Sequence, residues 1–209
     1  MHKAGFVNII GCPNVGKSTL LNALVGERLS VITSKAQTTR HRIMGIVSAD
    51  DYQIIFSDTP GILKPNYKLH EKMMRFVADA MEDADVFLLI TDVFEDIQLE
   101  QSYIDKLKHT KQPVLILVNK IDVVEMGKVE AKVAQWHERL PNAEILPVSA
   151  LQKTNLGLLM QKILSLLPEH EAYFGKDELT DKPERFFVSE IIREKILLNY
   201  KKEIPYSCE

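Results

Sequence analysis

The segment that most constrains the fold of this chain is residues 11–18, which read GCPNVGKS. They follow an apolar run at 6–10 and lead into a helix-like segment at 17–25. The spacing G-x-x-x-x-G-K-[ST] between a strand and a helix is typical of a loop whose backbone N–H groups, with the helix N-terminus, bind phosphate. We expect Lys17 to bridge the β- and γ-phosphates of a nucleotide and Ser18 to bind Mg²⁺. A chance glycine loop is the alternative, and the flanking strand and helix argue against it.

The rest of the chain alternates short apolar runs with longer amphipathic segments. The apolar runs lie at 6–10, 43–47, 54–56, 86–90, 114–118 and 145–148, and the helix-like segments at 17–25, 69–81, 99–108, 128–139 and 156–167. Nearly continuous apolar runs are typical of strands buried on both faces of a mainly parallel sheet, and runs joined by helices predict βαβ units. Because only Ser-Ala-Asp-Asp joins 43–47 to 52–56, we expect a hairpin there. The predicted fold is an α/β domain of the P-loop NTPase type, with a six-stranded, mostly parallel sheet and helices on both faces.

Composition and charge exclude several classes of protein. The chain has 209 residues, of which 26% are charged, a net charge of −3, and two cysteines, Cys12 and Cys208, at opposite ends. The cysteines form neither a disulfide framework nor a metal-ligand spacing, which suits a reducing cytosol. The net charge argues against an electrostatic binder of polyanions, and no apolar stretch reaches membrane-spanning length.

Residues 119–122, NKID, point to the base of the nucleotide. They follow the apolar run 114–118, so they lie at the carboxyl end of a predicted strand, where α/β sheets bind ligands. Guanine presents two adjacent donors, and the carboxylate of Asp122 can accept both, whereas adenine would leave a buried Asp122 unpaired. We expect Asn119 to join this loop to the phosphate loop and the stem of Lys120 to lie over the base. Taken alone, N-K-x-D is equally consistent with a turn.

Residues 58–61, DTPG, follow a further predicted strand and point to the γ-phosphate. We expect Asp58 to hold Mg²⁺ through water and the Gly61 N–H to contact the γ-phosphate. A simple Pro-Gly turn is the alternative interpretation of this motif.

The polar segment 30–42 between these two motifs has no periodicity, and we expect a mobile loop. Thr38 or Thr39 can bind Mg²⁺ and sense the γ-phosphate, and of the two we select Thr39. The run Arg40, His41 and Arg42 is either a solvated basic stretch or a functional one.

These motifs, in this order, resemble the Era family of GTPases, Ras-like proteins of the translation-factor class. The matching segments are GCPNVGKS, QTTRHRI, DTPGI, NKID and SAL, which span residues 11–151. The resemblance implies a GTPase with a slow intrinsic rate that acts as a switch in assembly of the small ribosomal subunit, with GTP or GDP and Mg²⁺ as ligands. It implies small-subunit (16S) rRNA and the pre-30S particle as partners of the complete protein. It also implies a cytoplasmic protein that associates loosely with the inner membrane, and we expect a monomer.

The resemblance further implies a full set of site residues. Nucleotide contacts are expected from Gly11, Cys12, Pro13, Asn14, Val15, Gly16, Lys17, Ser18, Asp58, Thr59, Pro60, Gly61, Ile62, Asn119, Lys120, Ile121, Asp122, Ser149, Ala150 and Leu151. The expected Mg²⁺ ligands are Ser18, Thr39 and Asp58, and the expected catalytic residues are Lys17, Thr39, Gly61 and Asn14. Backbone N–H groups of residues 149–151 are candidate hydrogen-bond donors to the guanine O6. Ile62 stands where Ras-type enzymes carry a water-orienting glutamine, and Asn14 suggests a K⁺ ion beside the phosphates in place of an arginine finger.

The C-terminal part is expected to form a different module. Residues 169–184 are polar and read as a linker, and 185–202 form a helix-like segment that cannot bury its apolar stripe alone. We expect the basic residues of this segment, Arg193 among them, on its solvated face. The stretch RFFVSEIIREKIL resembles the start of the Era KH domain, an RNA-binding module whose G-x-x-G loop is missing here. The predicted organisation is a G domain at 1–168, a linker at 169–184 and the start of a truncated KH domain at 185–209.

Two other functions remain open. One is a non-hydrolysing GTP-binding scaffold, because no base or water-orienting side chain is evident. The other is a related tRNA-modification or tandem-domain GTPase, since a fold does not by itself fix a function.

Overall fold

The computed structural model describes residues 1–33, 35, 38–66, 68–94 and 99–200. Its strands are β1 (Lys3–Ile10), β2 (Ile43–Ser48), β3 (Tyr52–Asp58), β4 (Val86–Asp92), β5 (Val114–Asn119) and β6 (Glu144–Pro147). Its helices are α1 (Lys17–Val25), α2 (Lys68–Glu82), α3 (Gln101–His109), α4 (Met126–Arg139), α5 (Leu156–Leu166) and α6 (Glu184–Asn199), and a single 3₁₀ turn covers Ile121–Val123. No helix in these ranges combines the length and the apolar character needed to cross a bilayer.

The six strands form one sheet in the order β2-β3-β1-β4-β5-β6. Strand β2 is antiparallel to β3, and the other neighbouring pairs are parallel. The predicted six-stranded, mostly parallel sheet and its hairpin are therefore confirmed. Because β1, β3 and β5 run in the same direction, the three motifs that follow them meet at one edge of the sheet.

Two apolar cores cover the two faces of this sheet. Alternate residues of β1 and β4 point to opposite sides: Ile9 and Leu88 pack with α1 and α5, whereas Ile10 and Leu89 pack with α2, α3 and α4. The largest buried side chain, Trp136 of α4, belongs to the second core. The central strands β1, β4 and β5 are thus buried on both faces, which is why their sequences contain nearly continuous apolar runs.

Helix α1 has the predicted bounds, and the boundaries of the other helices lie within three residues of the prediction. Helix α3 begins at Gln101 rather than 99, because Glu100 is extended (φ −56°, ψ 140°) and Leu99 packs into the core instead. Helix α4 begins at Met126, two residues before the predicted start, after an extended Glu125. Helix α6 ends at Asn199, and the predicted continuation through 201–202 lies outside the described residues.

The segment predicted as a linker lies against the sheet. The Gln53 side chain of β3 accepts hydrogen bonds from the N–H groups of Tyr173 and Phe174 at 2.8 and 2.9 Å. Further along, the carbonyl of Leu179 accepts from the N–H of Ile46, on β2, at 2.9 Å. Residues 169–182 therefore form a strap, which leads from the end of α5 to the start of α6.

Candidate nucleotide site

The phosphate loop encloses a cavity of about 320 Å³ between β1 and α1. Gly16 has a φ of +103°, and a Cβ there would lie 2.3 Å from Nδ2 of Asn119. A Cβ at Gly11 would lie 2.2 Å from the carbonyl oxygen of Ile90. Gly11 is therefore required by the close approach of the Ile90 backbone, and Gly16 by its left-handed conformation and by the Asn119 amide beside it. The Nζ of Lys17 donates to the carbonyl of Cys12 at 2.6 Å, which holds the ammonium group within the loop.

The three predicted metal ligands lie together beside this loop. The hydroxyl of Ser18 donates to Oδ2 of Asp58 at 2.7 Å and lies 2.9 Å from Oγ1 of Thr39, which is itself 3.4 Å from the same carboxylate oxygen. Thr38 is engaged elsewhere: its hydroxyl contacts Oγ1 of Thr33 at 2.7 Å and donates to the carbonyl of Lys35 at 2.6 Å. The structure thus places Thr39, and not Thr38, beside Ser18 and Asp58.

The oxygen set fits Mg²⁺, which prefers hard oxygen ligands. Asp58 is fully buried, and its Oδ1 has no hydrogen-bond partner among the residues that the structure describes. Burial raises the pKa of this carboxyl group, and the nearby Lys17 ammonium and the Ser18 and Thr39 hydroxyls oppose that rise. A buried carboxylate with an unused oxygen beside two hydroxyls is a natural position for a cation.

The remainder of the DTPG motif is fixed by backbone contacts. The hydroxyl of Thr59 donates to the carbonyl of Ile9 at 2.8 Å, and the N–H of Ile62 donates to the carbonyl of Gly11 at 3.0 Å. A Cβ on Gly61 would lie 2.7 Å from the backbone nitrogen of Pro13, so the glycine allows this close approach. The side chain of Ile62 packs in the core.

The NKID loop is joined to the phosphate loop as predicted. The Asn119 side chain donates to the carbonyl of Val15 at 2.8 Å and accepts from the N–H of Ala150 at 2.9 Å. The Nζ of Lys120, which has a φ of +65°, donates to the carbonyl of Asn14 at 2.8 Å. Asn119 therefore connects three of the predicted motifs.

Two expectations about the base are changed by the structure. Asp122 was expected to be buried, but it is exposed, because the 3₁₀ turn at Ile121–Val123 lies on the surface. It borders a separate open depression of about 660 Å³ lined by Phe94 and Lys128. In the 149–151 loop, the N–H groups of Ser149 and Ala150 donate to Thr154 and Asn119, so a guanine O6 would have to share those donors or use the N–H of the exposed Leu151.

Asp92, which lies in none of the predicted motifs, contacts the NKID loop. It ends β4, is 2% exposed, and forms an ion pair with Nζ of Lys120 at 2.6 Å. Its Oδ1 accepts from the N–H of Phe94 at 3.0 Å. Its place at the carboxyl end of a strand between β1 and β5 is the signal that could have identified it.

The run 40–42 is not a solvated stretch. Arg40 is 3% exposed, and the His41 ring lies between the rings of Phe76 on α2 and Phe186 on α6, with centroids 5.8 and 5.9 Å away. Arg42 forms a two-oxygen ion pair with Asp83 at 2.6 and 2.9 Å. No local sequence pattern indicates this burial, because the partners lie on distant elements.

Comparisons with known proteins agree with this geometry. The family described as 50S ribosome-binding GTPase matches residues 6–120. GTPase Era from Staphylococcus epidermidis is 43% identical over 207 residues, which make up 99% of this chain and 69% of that protein. The crystal structure of Era in complex with MgGDPNP and nucleotides 1506–1542 of 16S ribosomal RNA has a TM-score of 0.92 and 40% identity, covering 99% of this chain and 71% of that one. A variant of Aquifex aeolicus Era bound to GDP·AlF₄⁻ has the same TM-score and identity, over 98% of this chain and 70% of that one.

The sheet order, the phosphate loop and the oxygen cluster beside it define a P-loop GTPase. The identity with GTPase Era over nearly the whole chain is well above what a shared fold alone requires. The chain belongs to the Era family of GTPases, and the resemblance inferred from its motifs is confirmed.

Proposed function

We propose that this chain binds GTP with Mg²⁺, hydrolyses it slowly and acts as a switch in assembly of the small ribosomal subunit. The observation that carries the proposal is the convergence of Ser18, Thr39 and Asp58, with oxygens 2.7 to 3.4 Å apart, beside Lys17. Mg²⁺ supplies charge neutralisation at the phosphates when bound. The Era structures with MgGDPNP and with GDP·AlF₄⁻ support the same ligands for this site.

The residues present favour positioning and electrostatic stabilisation over acid–base catalysis. Lys17 lines the cavity in which the β- and γ-phosphates would lie, so its positive charge would stabilise them. Ile62, buried in the core, offers no side chain to orient the attacking water. A slow intrinsic rate is the expected consequence, and Asn14, which lines the cavity, is a candidate contact for a K⁺ ion.

Hydrolysis is expected to require Mg²⁺ and to run several-fold faster in K⁺ than in Na⁺, because a fixed cation stabilises charge that develops on the phosphoryl oxygens. Single-turnover rates in the two salts measure this. Asn14→Ala should remove the preference with binding mostly intact, and Asn14→Gly repeats the test without backbone strain, since Asn14 has a φ of +62°. The exposed Asn142→Ala is the matched control.

Equal rates in K⁺ and Na⁺ in the unsubstituted chain would refute the K⁺ role and leave GTP binding intact. Nucleotide binding with no turnover under either salt would instead favour the non-hydrolysing scaffold.

We propose that α6 opens a C-terminal KH domain that binds small-subunit rRNA and the pre-30S particle. Two observations support this: the chain covers 69% of the Staphylococcus epidermidis protein, and α6 exposes Val188, Ile191, Ile192 and Leu198. An exposed apolar stripe of this kind is typical of a surface that packs against further protein. The proposed organisation is a G domain at 1–168, a connecting segment at 169–184 and the start of the KH domain at 185–209.

Residues 1–209 alone are expected to bind rRNA weakly. The net charge is −3, and RNA affinity depends strongly on neutralising phosphates. Binding of an oligonucleotide from the 3′ end of 16S rRNA at about 150 mM salt tests this, with a scrambled oligonucleotide as the control. Tight, sequence-specific binding would place the RNA site in the G domain and contradict the proposed division.

The cellular location is proposed from family resemblance alone. We propose that the protein is a cytoplasmic monomer that associates loosely with the inner membrane. Sedimentation with vesicles of anionic lipid, together with light scattering of the free protein, tests both parts.

A further inference from the structure

Helix α6 lies across the loop that carries Thr39. Arg28, just after α1, forms an ion pair with Glu194, which is 3% exposed. The Nζ of Lys35 donates to the carbonyls of Leu197 and Tyr200, the latter at 2.7 Å. The C-terminal part of α6 and Tyr200 thus contact the segment that leads from α1 to Thr39.

Arg193 makes the contact nearest to the site. Its Nη2 donates to the carbonyl oxygen of Thr38 at 2.5 Å. It was expected on the solvated face of the helix, but it is 4% exposed, because it pairs with Glu190 one turn earlier and both lie under the loop. The Nε of Arg193 donates to Oε1 of Glu190 at 2.8 Å, and Nη2 contacts the second carboxylate oxygen.

This buried pair fixes the direction of the guanidinium group. A planar group held by a two-oxygen contact has little rotational freedom. Burying two charges contributes little net stability, and such pairs are better explained by the geometry they impose. Here the geometry aims one N–H at a single backbone carbonyl.

The carbonyl of Thr38 belongs to the peptide that leads into Thr39. Because a peptide unit is planar, an anchored carbonyl oxygen also fixes the orientation of the following N–H and Cα. The Thr39 hydroxyl then lies 2.9 Å from Ser18. Arg193 therefore contacts the peptide next to Thr39, and not the hydroxyl that would bind Mg²⁺.

We propose that Arg193 is a positioning residue for Thr39, so that a residue of the C-terminal helix contributes to binding of the γ-phosphate and Mg²⁺. The inference rests on the proposed nucleotide site. A loop that responds to the γ-phosphate contributes to GTP binding and much less to GDP binding. Loss of Arg193 should therefore affect the two nucleotides unequally.

The test measures affinity for GDP and for the β,γ-imido analogue of GTP in Mg²⁺. Arg193→Ala is expected to weaken binding of the analogue about tenfold, near the lower end for one hydrogen bond from a charged donor, and to leave binding of GDP unchanged. Lys195→Ala, on an exposed position of the same helix, is the control and should change neither.

Arg193→Ala leaves Glu190 buried without its partner and can therefore destabilise the fold. A second variant separates that effect from the loss of the contact with Thr38. The double substitution Arg193→Met with Glu190→Met removes both charges and keeps the volume. It should show the same selective loss with a thermal midpoint close to that of the unsubstituted chain. Equal losses for both nucleotides, or no loss, would overturn the role of Arg193. Failure of the unsubstituted chain to bind either nucleotide would overturn the proposed function instead.

Discussion

Replacing Asp122 by asparagine is expected to lower the affinity for GTP by at least about tenfold and to raise the relative affinity for xanthosine triphosphate. The carboxylate accepts two donors from guanine, whereas an amide offers one acceptor and one donor, so a mismatched contact costs about 1–3 kcal/mol. Xanthine carries an oxygen where guanine carries the 2-amino group, and the new amide donor suits it. Equilibrium binding of both nucleotides measures the change.

The exposed position of Asp122 sharpens this prediction. Only a bound base would bury the Asp122 carboxylate, so in the nucleotide-free protein this side chain remains in solvent. The substitution should therefore leave the thermal midpoint of the nucleotide-free protein unchanged. Glu125→Gln, three residues along and also exposed, removes a charge from the same surface and serves as the control. Unchanged GTP affinity in the Asp122 variant would refute its assignment to the base.

Asp58→Asn is expected to have opposite effects on stability and on ligand binding. It should weaken Mg²⁺-dependent GTP binding at least about tenfold, because an anionic ligand of the cation is lost. It should also raise the thermal midpoint of the nucleotide-free protein by roughly 2–4 °C, since a buried charge disappears. The exposed Asp51→Asn is the control, and its midpoint and affinity should not move.

The pH dependence of that stability gain has a definite sign. Burial raises the pKa of Asp58 above the ordinary value of 3.8, so the folded state binds this proton more tightly than the unfolded state. The penalty for burying the charge is absent below the ordinary pKa and grows as the pH rises to the raised value. The difference in midpoint between Asp58→Asn and the unsubstituted chain should therefore shrink toward pH 4. A difference that stayed constant from pH 7 to pH 4 would contradict a buried, ionised Asp58.

The parts of the site that could be predicted from the sequence are those defined by local motifs. The phosphate loop follows β1 directly, and Asp58 and Asn119 are the last residues of β3 and β5. Their position at the sheet edge therefore follows from the strand order alone. The choice between Thr38 and Thr39 could not be settled in this way. This choice depends on which of the two hydroxyls forms hydrogen bonds within its own loop. The Thr38 hydroxyl does so, with Thr33 and Lys35.

Other features depend on contacts between distant elements. Helical periodicity places Arg193 on the wrong face of α6, because Glu190 and the loop above supply its partners. Arg42 was ambiguous for the same reason, since its partner Asp83 lies at the end of α2. Asp122 was expected to be buried because a bound base would cover it. Without the base, the residue lies in a surface turn.

The strap formed by residues 169–182 determines where a shortened form of this domain could end. The N–H groups of Met44 and Ile46, on the outer side of β2, donate to the strap at 3.1 and 2.9 Å. A chain cut after residue 168 would leave that edge open for pairing with other chains, which is a common route to aggregation. It would also strip the fully buried Gln53 of three hydrogen-bond partners on the strap. A shortened domain is therefore expected to need the strap up to about residue 182, because the strap protects the sheet edge.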